Sequence, residues 1–163
     1  MSLTPGQVTT FKTDIDSNTN QLVINALAIG NNNGIVAWYN LDASPAFTVY
    51  KNLVPLEEVS LAIELDDVAD ITPADSDRLI KFFALRPGGV FASNATDRDG
   101  FDDVFSAAAG DDSQQALIAL WKRLASHIEK LFATGTGSAG DPAVMGFEGP
   151  VSLQDVRNAI AVS

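Results

Sequence analysis

The sequence predicts a mainly α-helical protein, a helical bundle with a minor extended or β-hairpin component and loop arms. Helix start signals recur along the chain, and apolar residues follow them at helical spacing. Of the 163 residues, 46% are hydrophobic and 19% are charged, a balance typical of a folded chain with a buried core. We expect a single domain over residues 1–163, with a helical body over about residues 3–132 and a C-terminal loop, extended arm and helix over residues 133–163.

The first helix begins after Thr4, which is placed to act as its N-cap. Pro5 occupies the favoured first helical position, and Gln7 completes a capping box with Thr4. The polar segment Asp16–Asn20 then ends or interrupts this helix. The apolar residues in between recur at helical spacing, at Val8, Phe11 and Ile15.

Four short elements follow in the first half of the chain. Leu22–Ile29 predicts a second short helix, closed by a glycine and an asparagine-rich turn. Ile35–Leu41 predicts a further helical turn or two. Ser44–Lys51 holds β-branched and aromatic residues, which are typical of an extended segment. Leu56–Ile63 is compatible with another helix.

Three helices and a turn are predicted in the middle of the chain. The capping signal recurs at Thr72 and predicts a buried helix that ends near Arg86. Asp97–Gly100 predicts a turn, and Phe101–Ala109 predicts a short helix. Ser113–Phe132 is expected to be the longest helix, because its apolar residues fall at steps of three and four. These residues are Leu117, Leu120, Trp121, Leu124, Ile128 and Leu131.

The residues of the segment Gly135–Gly140 match the pattern of the dinucleotide-binding motif G-x-G-x-x-G. That motif works where it leaves a strand and opens a helix, so that backbone N–H groups face a pyrophosphate. Here it follows a predicted helix and runs into Asp141, so we expect no nucleotide and no other cofactor. Beyond it, Ala143–Glu148 predicts an extended piece, and Ser152 with Asp155 predicts the cap of a final helix.

The net charge is −11, from twenty-one acidic and ten basic residues. This balance excludes the positive surface that nucleic acid or an anionic membrane requires. Two explanations stay open, namely solubility, or an acidic face that borders another polyanion without binding it. The chain has no cysteine, which excludes disulfides and thiol catalysis. No apolar run reaches the roughly 18–20 residues that span a bilayer, so we expect no membrane contact.

Candidate catalytic and metal-binding residues are few. His127, the one histidine, lies beside the apolar stripe of the predicted long helix, with no nucleophile motif for it to serve. Asp14–Asn18 and Asp97–Gly100 resemble the opening of a calcium loop, but they lack the correctly placed glycine and glutamate. We therefore expect no enzyme activity, no catalytic residue and no metal.

The extended segment Ala46–Lys51 needs a partner, because a lone strand leaves backbone groups unpaired. It pairs either with Ala143–Glu148 of the same chain or with a neighbouring subunit by strand addition. The glycine-rich loop is likewise either a mobile surface loop or an arm ordered only in an assembly. The residues expected at an assembly interface are Phe47, Val49, Tyr50, Thr134, Gly135, Gly137, Val144 and Phe147.

Several phrases of the sequence resemble a family of virion proteins of tailed bacteriophages and prophages. The most specific phrases lie near the C-terminus, and the resemblance is weakest between Arg86 and Gly110. The matching phrases are Met1–Pro5, Ala43–Phe47 continuing to Val54-Pro55, Leu65–Asp75, Glu129–Gly137, Phe147–Gly149 and Gln154–Val156.

The resemblance implies a non-enzymatic virion protein, a head–tail adaptor that forms a ring of about 12 copies beneath the portal. The implied partners are further copies of the chain, the portal protein and a downstream tail or nozzle protein. DNA would pass through an acidic channel without specific binding. The implied location is the head–tail interface of the virion, with the host cytoplasm during assembly. Two alternatives stay open: a capsid decoration or tail-completion protein, and a small enzyme or metal-binding domain.

Overall fold

The computed structural model describes residues 2–106 and 111–162, and it is mainly α-helical, which confirms the predicted fold class. The helices are α1 (Pro5–Ser17), α2 (Gln21–Ala28), α3 (Asn32–Tyr39), α4 (Leu56–Ala62), α5 (Leu65–Asp70), α6 (Pro73–Leu85), α7 (Ala95–Phe105), α8 (Asp111–Leu120), α9 (His127–Leu131) and α10 (Leu153–Ala161). The strands are β1 (Thr48–Tyr50), β2 (Lys122–Leu124), β3 (Ala133–Thr134) and β4 (Val144–Met145). Among the described residues, no helix is long and apolar enough to cross a membrane.

The chain divides into two compact units. The terminal unit combines Met1–Val49 with Leu124–Ser163, and the central unit is Tyr50–Arg123. The chain leaves the terminal unit within β1 and returns to it within β2, and these two strands form one sheet. In the second sheet β3 and β4 are antiparallel, with Ala133 opposite Met145 and Thr134 opposite Val144. The expected single domain over residues 1–163 stays a prediction.

Helices α1, α3 and α10 surround the core of the terminal unit. Thr4 caps α1 and forms the predicted capping box with Gln7, which is thereby confirmed. The Phe11 ring of α1 meets the Tyr39 ring of α3 edge-on, with 4.7 Å between the ring centroids. Both chain segments of this unit contribute to its core, the first through Phe11, Val23, Ile35 and Tyr39, and the second through Ile128, Phe147, Val151 and Val156.

The carboxylate of Asp155 joins the two ends of the terminal unit. Ser152 caps α10 and Asp155 completes its capping box, as predicted. The Asp155 Oδ2 atom accepts a hydrogen bond from the Ser152 backbone N–H at 2.9 Å, and Oδ1 accepts one from the Leu3 backbone N–H at 3.2 Å. Burial acts to raise the pKa of Asp155, but the hydrogen bonds from Ser152 and Leu3 outweigh it and hold that pKa below its usual value.

The core of the central unit gathers around Phe101 and Trp121, whose ring centroids are 5.5 Å apart. The prediction of a turn at Asp97–Gly100 is wrong, because these residues lie inside α7. Asn94 begins this helix, since its side-chain oxygen accepts a hydrogen bond from the Thr96 N–H at 3.0 Å. The predicted end of this helical region at Ala109 lies outside the described residues.

The prediction of one long helix over Ser113–Phe132 is also wrong. Helix α8 ends at Leu120, strand β2 follows, and α9 begins at His127. A further capping box, between Ser126 and Glu129, starts α9. The predicted apolar stripe divides accordingly, with Leu117 and Trp121 in the central core and Ile128 in the terminal core.

Backbone pairing explains why the helix is interrupted. The Trp121 carbonyl accepts a hydrogen bond from the Lys51 N–H at 2.8 Å, and the Ala125 N–H donates to the Phe47 carbonyl at 2.9 Å. Because these backbone groups pair with distant segments, they do not form the hydrogen bonds that would continue the helix. The helical spacing of the side chains carries no information about such pairing.

We expect Asp155→Asn to lower the free energy of unfolding by about 1–2 kcal/mol at neutral pH, because the Leu3 and Ser152 donors lose a charged acceptor. The folded-state pKa of Asp155 is lowered, so its contribution is complete above the ordinary aspartate pKa of about 3.9 and is lost as the pH falls through the folded-state value. Chemical denaturation across this pH range measures the effect.

The matched control is Asp16→Asn, which removes an exposed carboxylate that pairs with Lys12 at 2.9 Å. Its effect should stay within about 0.5 kcal/mol at every pH. Equal losses in the two variants, or a difference between wild type and Asp155→Asn that persists at the lowest pH, would contradict the role of Asp155.

Candidate functional site

Two of the three predicted interface residues in and directly before β1 keep a partly exposed surface. Val49 is fully buried, and its backbone bridges to that of Ala143. Phe47 and Tyr50 are partly buried, and the Arg98 guanidinium lies over the Tyr50 ring, 3.8 Å from its centroid. A second chain could therefore contact Phe47 and Tyr50 but not the Val49 side chain.

The chain itself supplies partners for the extended segment. The Thr48 N–H donates to the Gly137 carbonyl at 2.7 Å, and the Thr48 carbonyl accepts from the Ala143 N–H at 3.0 Å. Pairing with Ala143, one of the two predicted alternatives, is thus present within the chain. Strand β2, which the sequence did not predict, lies beside β1 as well.

The glycine-rich loop is the closed tip of the β3–β4 hairpin. The Thr136 hydroxyl donates to the Asp141 carbonyl at 2.9 Å, and the Asp141 N–H donates to the Ser138 hydroxyl at 2.9 Å. Gly137 has a φ of +67° and lies so close to the Phe47 ring that a Cβ would overlap that ring. The loop therefore packs on its own chain instead of extending as an arm.

The other predicted interface residues differ in exposure. Phe147 lies in the terminal core, and Gly135 packs against the backbone of Ala143. Thr134 and Val144 face each other across the hairpin, and both are exposed. These two side chains form the surface that the hairpin offers to a partner, and the assembly role of the whole set stays a prediction.

Phrases that carry the family resemblance meet inside the terminal unit. The buried Glu129 accepts a hydrogen bond from the Gly149 N–H at 2.9 Å, which links two of these phrases. Three further pairs of residues link different segments of the resemblance. Leu3 is hydrogen-bonded to Asp155, Gly137 packs against Phe47, and the rings of Phe132 and Phe147 are in contact. These contacts place the N-terminal and C-terminal segments of the resemblance within the packing of the terminal unit, whereas Leu65–Asp75 lies in the central unit.

A polar cleft in the terminal unit surrounds His127. The imidazole stacks on the Trp38 indole, with 3.9 Å between ring centroids. Burial lowers the pKa of His127, and nearby Lys130 lowers it further, while Asp14 acts in the opposite direction. The Tyr39 hydroxyl donates to Asp14 at 2.5 Å, and burial together with this bond raises the pKa of Tyr39. The cleft is thus a packed polar cluster, in which the His127 imidazole rests on the Trp38 indole.

Of the two segments that resemble calcium loops, Asp14–Asn18 runs from the end of α1 to its C-cap, and Asp97–Gly100 lies inside α7. Asp14 and Asp16 belong to α1, where Asp16 pairs with Lys12. Asp97 is buried, and its Oδ1 lies 2.9 Å from the Arg86 Nη2, a contact that raises the pKa of Arg86. Within residues 2–106 and 111–162, no three acidic or histidine side chains are grouped so that they could hold a metal ion.

An exposed apolar surface covers α2 and α3 and ends at Leu41, and we call it the neutral face. Its groove of about 330 Å³ is lined by apolar side chains that include Leu22, Ile29 and Trp38. Leu22 is 64% exposed and Ile29 is 78% exposed. The sequence from Ser17 to Leu41 contains no charged residue.

The sequence analysis did not identify the neutral face, although its signal is present in the sequence. The predicted helix Leu22–Ile29 is apolar except for Asn25, so Val23 and Ala26 face the core while Leu22, Ile24 and Ile29 face outward. A helix that is apolar on all sides is normally covered on all sides. This mismatch between composition and exposure indicates a contact surface.

A second apolar groove lies in the central unit between α6 and α7, and we call it the central groove. Its volume is about 330 Å³, and its apolar lining includes Phe82, Leu85 and Val104. Leu85 is 73% exposed. Arg78, Lys81 and Asp103 also line it, so this groove has a charged rim of both signs, unlike the neutral face.

Comparison with protein-family models, with curated proteins and with solved structures finds no match to this chain. The family resemblance of the sequence phrases, and the virion role that it implies, therefore stay predictions. The candidate contact surfaces rest on the residues and the geometry of the chain itself.

We expect Gly137→Ala to lower the free energy of unfolding by about 2 kcal/mol or more, because an alanine there is strained by the positive φ and displaces the Phe47 ring. Gly140→Ala, in the same loop, is the control, since its Cβ has no atom within 4 Å. That change should stay within about 0.5 kcal/mol. Urea denaturation measures both, and similar losses would show that the loop does not depend on the Phe47 contact.

Proposed function

We propose that this chain is a non-enzymatic structural subunit of a tailed-bacteriophage virion, a head–tail adaptor that forms a ring of identical copies. The observation that carries the proposal is the pair of exposed apolar grooves, one in each unit, on a chain of net charge −11. Exposed apolar patches mark surfaces that other proteins cover. A cyclic ring needs two different contact surfaces on each copy, and the chain offers two.

The acidic charge of the central unit supports a position beside DNA, because an acidic surface does not bind DNA tightly. This unit holds fourteen acidic and seven basic residues, and the terminal unit holds seven and three. Arg78, Lys81 and Arg86 each pair with an acidic residue of the central unit. An acidic surface repels phosphates, so DNA passing it is not retained.

Not every acidic residue of this unit is available to line a channel. Asp67 is buried and accepts a hydrogen bond from the Ser113 N–H at 2.8 Å, so its carboxylate has a structural role. Asp66, its neighbour in α5, is exposed. Any test of the channel by charge neutralisation should therefore change Asp66 and leave Asp67 intact.

We expect the purified chain to form a stable complex with portal rings of the phage or prophage that encodes it, at about 12 copies per ring. Size-exclusion chromatography with light scattering measures the complex and its stoichiometry. Binding to capsids alone would replace the adaptor role by capsid decoration. Binding to neither particle, together with turnover of a small molecule, would overturn the structural role.

A matched pair of variants tests the predicted hairpin surface in the same experiment. Val144 in β4 and Ile160 in α10 are 41% and 38% exposed. Val144→Glu should weaken portal binding at least about tenfold, because it places a charge in an apolar contact. Ile160→Glu should leave it unchanged, and equal effects would contradict a contact through the hairpin.

A further inference from the structure

The exposed neutral face indicates a binding partner, and its lack of charge restricts what that partner can be. Leu22 and Ile29 expose most of their surface around a groove, and their neighbours Asn25 and Asn31 are polar but uncharged. A basic protein, a nucleic acid or a membrane headgroup is recognised by charge, and this face offers none. The surface therefore suits an apolar region of a partner protein, even one that carries a large net charge elsewhere on its surface.

A second copy of this chain is such a partner. Two copies of net charge −11 repel each other over a range of about 8 Å at physiological ionic strength. Electrostatic repulsion between the two acidic copies is weakest where at least one of the contacting surfaces carries no charge. The neutral face meets this condition because the nearest charged residues in the sequence, Asp16 and Asp42, lie outside it.

The central groove has the properties that the opposite side of such a contact requires. It is a concave, mainly apolar surface of about 330 Å³, formed by Phe82, Leu85 and Val104 among others. Arg78 and Lys81 at its rim pair with Asp75 and Asp77 of their own chain, so most of the rim charge is balanced inside the chain, and Asp103 also lines the groove. Apolar side chains in the centre and polar groups at the rim are the normal arrangement of a protein interface.

We propose that the neutral face of one copy binds the central groove of a second copy, with Leu22 and Ile29 entering the groove. This inference rests on the proposed ring, because it names the two different surfaces that a head-to-tail contact joins. After one contact, the first copy keeps its central groove free and the second keeps its neutral face free, so the contact can repeat from copy to copy. Leu22 and Ile29 then lose their exposure, and so does Leu85 of the next copy.

The test uses two variants that each destroy one surface, Ile29→Glu and Leu85→Glu. Analytical ultracentrifugation at about 100 μM, where interfaces of ordinary size associate, should show oligomers for wild type. Each variant alone should associate at least about tenfold more weakly, because a buried unpaired carboxylate opposes contact. Leu65→Glu, at a leucine that is 82% exposed outside both surfaces, should associate as wild type does.

Mixing the two variants gives the decisive measurement. Ile29→Glu keeps an intact central groove and Leu85→Glu keeps an intact neutral face, so an equimolar mixture should form a one-to-one pair and nothing larger. Circular dichroism verifies that each variant is folded. A monomeric wild type, a mixture without the pair, or a Leu65→Glu variant as weak as the other two would each overturn the inference. Portal binding by the wild type is measured separately, so the ring role can stand where this contact fails.

Discussion

The terminal unit depends on hydrogen bonds between residues that lie far apart in the chain. Leu3 binds Asp155, and Asn40 exchanges two bonds with the backbone of Val151, at 2.8 and 3.0 Å. Bringing such distant segments together costs conformational entropy, and the buried polar groups involved would be costly to leave unpaired. The apolar core formed by both segments offsets this cost.

The starts of helices could be predicted from the sequence because capping is local. Thr4, Thr72 and Ser152 each begin a helix where the spacing of cap and partner predicts it. The interruption after α8 could not, since it arises when Trp121 and Ala125 pair with distant backbone. One local signal was nevertheless present there, the Ser126–Glu129 capping box inside the predicted long helix. A cap in the middle of an apolar stripe is evidence for two helices.

The candidate surfaces were harder to predict than the elements that carry them. The sequence correctly placed a helix near residues 22–29, but both of its sides are apolar, so periodicity could not show which side faces the core. Phe47 and Gly137 are both predicted interface residues, and the chain brings them into contact with each other. The contact depends on the hairpin turning back onto β1, which is a tertiary feature without a local signature.

The chain leaves and rejoins the terminal unit through β1 and β2, which are adjacent strands of one sheet. A segment attached through neighbouring strands can grow, shrink or change its sequence without moving the backbone on either side of the attachment. Replacing the whole segment between the two strands would then leave the paired backbone of the terminal unit in place.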